Sequence, residues 1–474
     1  MHITQYFFKI FFRIYYHNAL EIVLVSAIKE FRPATPFLTP YLISAPKNFT
    51  NVQLYSEIYP FWTYSYLVAL VPSFFLTDIL RYKPIVITEA VALCFTWILL
   101  IWGKTIWQMQ IMQIAFGVAS ACELGYESYM FLMVDKKYYK LVSSYTRAAT
   151  LTGRFFAYAL AQFLISFNYG SYLLLNQISF GAVCVIIPIA IAFPPITKEI
   201  IDSKVESQGK KAVDDMRQKE TSEDSSDKTA KAKDSGDAKT RDIKERMEEY
   251  SHFILHELKI FKRNKNVLKW SIWWALTSCG FYQITNYVQS LWATMQIISD
   301  NFNGITECIN TLIGAMISFS LQYINKDWTV HDELILSITS IIIAVLLIIM
   351  SQIKSVIIAY ILYVIITAIY TLLMTAACAT IASELNSASY GFVFGLNTFV
   401  ALLLETAITF AFADKHGFAL PIREQFLVYG GYFAIIALIF VIIICSQYII
   451  RWWRNQPDNT MHNNISSCDN STYH

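Results

Sequence analysis

Charged residues are scarce in this sequence. Asp, Glu, Lys and Arg make up 15% of its 474 residues, against about 25% in soluble proteins, and a soluble chain of this length needs more polar surface to cover its core. The net charge is +2, and the sequence has no basic patch of the kind that contacts nucleic acid. An ordinary soluble domain and a nucleic-acid-binding protein are therefore excluded.

The sequence also lacks the patterns of catalytic and metal-binding sites. It contains no phosphate-binding loop, no nucleophile–base pair and no CxxC or His/Cys cluster. Seven of the eight cysteines lie in apolar stretches, where cysteine usually acts as a small packing residue. We therefore expect neither an enzyme nor a cofactor, a metal site or a disulfide framework.

Long apolar runs are what the sequence has instead. A membrane-spanning helix needs roughly 20 mostly apolar residues, and about twelve segments qualify. They cover 17–43, 58–80, 85–103, 106–134, 141–167, 171–194, 267–298, 302–325, 333–353, 355–384, 390–413 and 423–450. These runs predict an all-α membrane protein with twelve transmembrane helices in two six-helix bundles, embedded in the lipid bilayer.

A stretch of different composition separates the two sets of six segments. Residues 198–264 are rich in Lys, Asp, Glu and Ser and contain few large apolar side chains, so most of this stretch cannot bury enough surface to fold. We predict an N-terminal bundle over 1–197, a charged, mostly disordered cytoplasmic linker over 198–264, a C-terminal bundle over 265–452 and a disordered cytoplasmic tail over 453–474.

Basic residues favour a cytoplasmic N-terminus. Lys9 and Arg13 precede the first apolar segment, no small-residue cleavage site follows a short apolar core, and we expect the segment to be retained. With this start, about ten basic residues fall inside and five in outside loops, as the positive-inside rule requires. Both termini are then cytoplasmic. The glycosylation acceptor motif that begins at Asn48 lies in the first outside loop, which predicts a glycoprotein.

Several ionisable residues interrupt the apolar segments, and each costs roughly 2.5–3.5 kcal/mol to insert into a bilayer. They are Glu123 and Glu127 in segment four, Arg147 and Arg154 in segment five, Glu307 in segment eight and Glu405 in segment eleven. Two interpretations stay open: the carboxylates line a wet substrate cavity, or they pair with the arginines and fix helix packing. A buried glutamate that exchanges substrate for a proton makes protons a candidate coupling ion.

A short charged loop follows segment two. Asp78 lies near the end of that segment, and Arg81 and Lys83 come within the next five residues. An acid at a helix end and nearby bases can form an ion pair between bundles that holds a gate shut and breaks on opening. Asp78 and Arg81 are therefore the predicted gating residues, in a pattern that resembles the loop signature of the major facilitator superfamily.

Four longer motifs carry a more specific resemblance. They are KEFRPATPFLTPYL from Lys29, IYPFWTYSYLVALVPSFFLTDILRYKP from Ile58, NYVQSLW from Asn286 and FVFGLNTF from Phe392. With them the chain resembles the reduced folate carrier and thiamine transporter family, solute carrier family 19, over most of 25–195 and 265–450. The resemblance implies a major-facilitator fold of twelve helices that carries a water-soluble vitamin across the plasma membrane by alternating access.

The family offers two kinds of substrate. Its folate carriers bind a dicarboxylate through basic residues in segments four, ten and eleven, whereas its thiamine carriers bind an organic cation through a segment-four glutamate, a nearby tyrosine and a segment-two tryptophan. By local motif these positions fall on Glu123, Tyr126 and Trp62 here, while Glu405 stands at the segment-eleven basic position and the segment-ten position falls near Thr367. The resemblance thus implies thiamine or a similar organic cation as substrate, with Glu405 also in the site.

One position departs from the family pattern. The family usually has an acid where this sequence has Thr35, and in its thiamine carriers that acid helps to hold the aminopyrimidine; Thr35 is the substrate-site candidate here, but it brings no charge. Two alternatives to thiamine transport therefore stay open. One is a reduced-folate transporter, and the other is a non-transporting vitamin sensor that signals through the linker.

Overall fold

The computed structural model describes residues 24–79, 83–133, 139–192, 261, 264–296, 301–321, 332–384 and 387–454. Nearly all of the predicted linker 198–264, the tail from 455 onward and the gating residue Arg81 lie outside these ranges. The side chains of Asp78 and Tyr126 also lie outside the description, although both residues belong to described helices.

The described ranges are helical almost throughout. The first apolar segment, predicted as one span, is broken: residues 24–29 are helical, Thr35–Phe37 is a 3-10 turn, and a short helix, α1, covers Leu38–Ile43. The break contains Pro33 and Pro36, and proline interrupts a helix because it lacks a backbone donor and restricts the residue before it.

Longer helices follow in chain order. They are α2 (Pro60–Ile79), α3 (Lys83–Trp102), α4 (Ile106–Met133), α5 (Tyr139–Ser166), α6 (Tyr172–Ala192), α7 (Lys265–Ala293), α8 (Asn303–Leu321), α9 (Asp332–Gln352), α10 (Val356–Glu384), α11 (Ser387–Ile408) and α12 (Ile422–Arg454). A π-helical turn, Thr409–Ala413, continues α11.

Within the described residues, seven helices are long and apolar enough to cross a membrane. They lie in α3, α5, α6, α9, α10, α11 and α12. The predicted all-α, multi-pass membrane architecture is therefore confirmed. The helices α2, α4, α7 and α8 have comparable lengths.

Apart from α5, which packs on α8, the helices before the linker pack mainly on one another, and so do those after it. In the first set α4 contacts α2 and α3, and α3 also contacts α6; in the second set α12 packs on α9, α7 on α11, and α8 on α10. Large aromatic side chains of α7, among them Trp270, Trp273 and Trp292, are fully buried in the second set. Side chains such as Ile338 and Ile341 of α9 are exposed, as expected where a helix faces lipid.

Among the described residues, the helix pairs that join the two sets most extensively are α5 with α8, α2 with α11, and α1 with α7. The connecting stretches 44–59, 167–171, 294–296, 301–302, 353–355 and 414–421 all lie at the same end of the helices, which we call the closed end because side chains of the two sets join there. The contacts that join them are described below.

Candidate functional site

A buried lysine joins two glutamates in the first set of helices. The Lys29 ammonium donates to Glu89 Oε1 at 2.7 Å and to Glu123 Oε1 at 3.0 Å. The side chains of Lys29 and Glu89 are buried, whereas that of Glu123 is 46% exposed. Glu123, the predicted substrate carboxylate, is therefore half open to solvent and already shares its charge with a lysine.

Glu89 was absent from the sequence-based list of site residues. It stands in the apolar stretch IVITEAVALCF of α3, and the rule that flags intramembrane carboxylates as functional candidates applies to it as well. Its partner Lys29 lies 60 residues away, so the pairing itself had no local signal.

A second buried cluster lies one residue further along. Glu30 Oε2 accepts from Arg32 Nη2 at 2.8 Å and from Arg154 Nε at 2.6 Å. The interpretation that Arg154 pairs with one of the carboxylates of segments four, eight and eleven is therefore wrong in its partner, because the ion pair is with Glu30 of the first segment. In the two clusters together, three basic side chains face three carboxylates, so their formal charges cancel.

Trp62 lies on α2 against the turn of α4 that precedes Glu123. Its indole Nε1 donates to Ser120 Oγ at 3.2 Å, and its ring centroid is 6.2 Å from that of Phe116 and 5.8 Å from that of Tyr66. Ser120 and Glu123 are three residues apart and so share a face of α4. An aromatic surface and a half-exposed carboxylate therefore lie on neighbouring parts of the same wall.

Glu405 is enclosed where the two sets of helices meet. Its residue exposure is 0%, and Oε1 accepts from Thr63 Oγ1 of α2 at 3.3 Å. Gln283 of α7 donates from one amide nitrogen to the Glu405 backbone carbonyl at 2.9 Å and to Thr409 Oγ1 at 2.8 Å. The structure therefore does not bring Glu405 into the Lys29–Glu123 cluster, and no substrate reaches its carboxyl group in this conformation.

The second set of helices supplies one more acidic group and little positive charge. Glu307 of α8 accepts from the Tyr363 hydroxyl of α10 at 3.2 Å. Thr367, at the predicted segment-ten position, donates to the Tyr363 carbonyl at 2.9 Å. Lys and Arg occur in α7–α12 only near helix ends.

Thr35 lies at the contact between the first segment and α7. Its backbone carbonyl accepts from Gln289 Nε2 at 3.0 Å, and Gln289 Oε1 accepts from the Thr39 backbone amide at 3.2 Å. The backbone of Thr35 thus helps to hold the two sets of helices together.

Polar contacts also seal the closed end. Lys415 forms an ion pair with Glu57 at 3.1 Å, and the Tyr64 hydroxyl donates to Asp414 Oδ2 at 2.7 Å. These contacts join the α1–α2 loop and α2 to the loop before α12, so they tie one set of helices to the other. Asp78, a predicted gating residue, lies near the end of α2 that is away from this seal, and Arg81 lies outside the described residues.

A basic cavity of about 700 Å³ lies beside this seal, and its walls include Lys47, Asn48 and Lys104. The buried Lys47 ammonium donates to the carbonyl of Ile101 at 3.1 Å and to that of Gly103. Burial, helped by the nearby Lys104 charge, lowers the pKa of Lys47 to about 8. Asn48 is exposed and adopts a left-handed backbone conformation, φ 53°, which asparagine tolerates well.

Known proteins resemble this chain in sequence and in fold. "Folate transporter 1" of Caenorhabditis elegans is 49% identical over 88% of this chain and 90% of its own length. "Thiamine transporter 1" of Homo sapiens is 36% identical over 86% of each chain. The crystal structure of the POT family transporter PepTSo superposes with a TM-score of 0.61 at 12% identity, over 91% of this chain and 98% of that chain, and this likeness concerns the fold alone.

The family model of the reduced folate carrier matches residues 15–428. This range covers α1–α11, the start of α12 and the site described above. The chain therefore belongs to the reduced folate carrier family of membrane transporters, as its sequence motifs indicate.

Proposed function

We propose that this protein carries thiamine or a similar organic cation across the plasma membrane by alternating access of its two helix bundles. The observation that carries the proposal is the half-exposed carboxylate of Glu123 beside the aromatic surface of Trp62. A carboxylate attracts the positive thiazolium ring, and the indole adds a cation–π attraction of about 0.5–2 kcal/mol. Tyr126, three residues beyond Glu123, is the proposed third member of the site.

Charge balance supports a cationic substrate. Lys29, Arg32 and Arg154 are each paired with a glutamate, and the middle parts of α7–α12 have no lysine or arginine. A dicarboxylate would have to break one of these pairs, and it would also face Glu307. Like-charge juxtapositions of this kind are a common means of rejecting a wrong ligand.

Orientation follows from the same proposal. Asn48 and the closed end face the exterior, and both termini face the cytoplasm. The bundles then part at the opposite end, where Asp78 and Arg81 form the inner gate. The described conformation is therefore closed to the outside, with Lys415–Glu57 and Tyr64–Asp414 as external contacts.

Reduced folate is the second candidate substrate. It is favoured by the 49% identity to a protein named as a folate transporter. Arg154 is 41% exposed, so a folate carboxylate could compete with Glu30 for it. A vitamin sensor that does not transport differs from both candidates. Its vitamin ligand would raise the thermal stability of the protein, but the protein would carry no vitamin into proteoliposomes.

Uptake of labelled thiamine into cells that express the protein or its Glu123→Gln variant tests the site. At an effective dielectric constant of about 20, a charge pair at about 5 Å is worth about 3 kcal/mol. Exposure and the shared lysine reduce this to about 1.5 kcal/mol, which corresponds to an uptake about tenfold lower at subsaturating thiamine. Glu424→Gln, an exposed position in the first turn of α12, is the matched control. Unchanged thiamine uptake by Glu123→Gln refutes the site.

A further inference from the structure

Glu405 differs from Glu123 in that no basic side chain among the described residues forms an ion pair with it. Its Oε2 atom has no hydrogen-bond partner among the described residues, and Oε1 has one donor, the neutral hydroxyl of Thr63. An ionised carboxylate in such a place is strongly disfavoured, because burial removes its hydration and the neutral donor replaces little of it. The neutral acid has no such cost.

The surroundings of Glu405 are polar but uncharged. Groups that interact electrostatically with it are Cys279, Tyr282 and Tyr287 of α7 and Tyr429 of α12. All four are neutral types at physiological pH. The helix α2 adds Tyr64, which donates to Asp414 beyond the end of α11, and α10 adds Tyr370, which bonds with Ser278. The charged group among these, Asp414, is itself acidic.

Further buried polar atoms next to Glu405 lack partners in the described part of the chain. They are Gln283 Oε1 of α7, whose amide nitrogen contacts the Glu405 carbonyl, and Thr406 Oγ1 of α11, the residue after Glu405. Buried polar groups are usually satisfied by protein or by water. These polar atoms could bind water molecules that reach the carboxyl group when the helices move.

From this geometry we infer that Glu405 is the proton-binding residue of the transport cycle. It takes up a proton from the cytoplasmic side after the substrate has left, and it holds that proton while the bundles enclose it. It releases the proton to water on the outside when α2 and α11 separate and the Thr63 contact is lost. The proton replaces the charge of the cationic substrate on the return step, so one proton leaves for each cation that enters. The inference rests on the proposed transport function and extends it.

Two carboxylates then have separate roles. Glu123 is half-exposed and paired with Lys29, and it attracts the substrate. Glu405 is enclosed and forms no ion pair with a described basic side chain, and it exchanges a proton. Different environments commonly divide acid and base roles between two carboxylates in this way.

Proteoliposomes test the inference with labelled thiamine. With an acidic interior and a neutral exterior, the wild-type protein should concentrate thiamine several-fold. The Glu405→Gln variant, which mimics the neutral acid, should keep thiamine counterflow within about twofold of wild type and lose gradient-driven accumulation. Glu424→Gln should behave as wild type. If Glu405→Gln still concentrates thiamine under the gradient, or if it loses counterflow as well, the assignment is wrong.

A second measurement does not depend on transport. Dicyclohexylcarbodiimide reacts with protonated carboxyl groups in apolar surroundings, and mass spectrometry of the wild-type protein in membranes at pH 7 should find the adduct at Glu405 but not at the exposed Glu424. Absence of an adduct at Glu405 overturns the inference. Wild-type protein that shows no counterflow of thiamine refutes the proposed function, and the labelling result then still decides whether Glu405 holds a proton.

Discussion

Removal of the Lys29 ammonium should destabilise the protein through Glu89. The side chain of Glu89 is 5% exposed and its Oε1 atom lies 2.7 Å from the lysine, so Lys29→Met leaves a buried carboxylate without a partner. Breaking one side of a buried pair costs about 3–5 kcal/mol. Glu123 also loses a partner, but it is 46% exposed, and exposed pairs contribute only about 0–1 kcal/mol.

This difference predicts which second change restores stability. In the Lys29→Met background, Glu89→Gln should recover most of the loss because the uncompensated buried charge is gone. Glu123→Gln should recover little. Thermal unfolding of the detergent-solubilised variants, followed by size-exclusion chromatography after heating, gives the ranking. Lys415→Met is the control, because Lys415 is 47% exposed in its pair with Glu57, and its unfolding temperature should stay close to that of wild type.

Two results would refute the reasoning. Lys29→Met as stable as wild type would mean that Glu89 does not need the lysine. Equal rescue by Glu89→Gln and Glu123→Gln would mean that burial does not separate the two carboxylates.

Three further predictions concern the closed end and its contacts. Burial lowers the pKa of Lys47 to about 8 from about 10.4 in an unfolded chain, so the unfolded state binds more protons between these two pH values. The stability of wild type relative to Lys47→Met should therefore rise from pH 8 to pH 10. A difference in unfolding temperature that stays constant over this pH range contradicts the prediction. A methyl group at Gly304 would lie 2.8 Å from Gln162 Oε1, whereas a methyl group at Gly314 of the same helix would meet nothing closer than 3.9 Å. Gly304→Ala should therefore lower the unfolding temperature, and Gly314→Ala should raise it slightly because alanine has the higher helix propensity. Asn48→Gln should increase the electrophoretic mobility of the protein from cells as much as enzymatic deglycosylation does, and unchanged mobility would place Asn48 away from the glycosylation machinery.

Much of the architecture could be predicted from the sequence because membrane helices need long apolar runs, and those runs are visible residue by residue. The break in the first segment was missed, although Pro33 and Pro36 mark it. The prediction of a single helix relied on the apolar composition of the segment and gave the two prolines too little weight.

The site could be predicted only in part. Glu123, Trp62 and Glu405 were proposed from the sequence because charges and aromatics inside apolar segments stand out and because their positions match motifs of the family. The environments of these residues could not be predicted, because Lys29 is 94 residues from Glu123 in the sequence and Thr63 is 342 residues from Glu405. Such contacts depend on how helices pack and leave no periodic signal, so the enclosure of Glu405 and the neutralisation of Glu123 required the structure.

Side-by-side uptake of labelled thiamine, pyridoxine and reduced folate into cells that express the protein tests the central claim most directly. Saturable thiamine uptake that unlabelled thiamine inhibits, with little pyridoxine or folate uptake, is the predicted result. Saturable folate uptake that is indifferent to excess thiamine would contradict it.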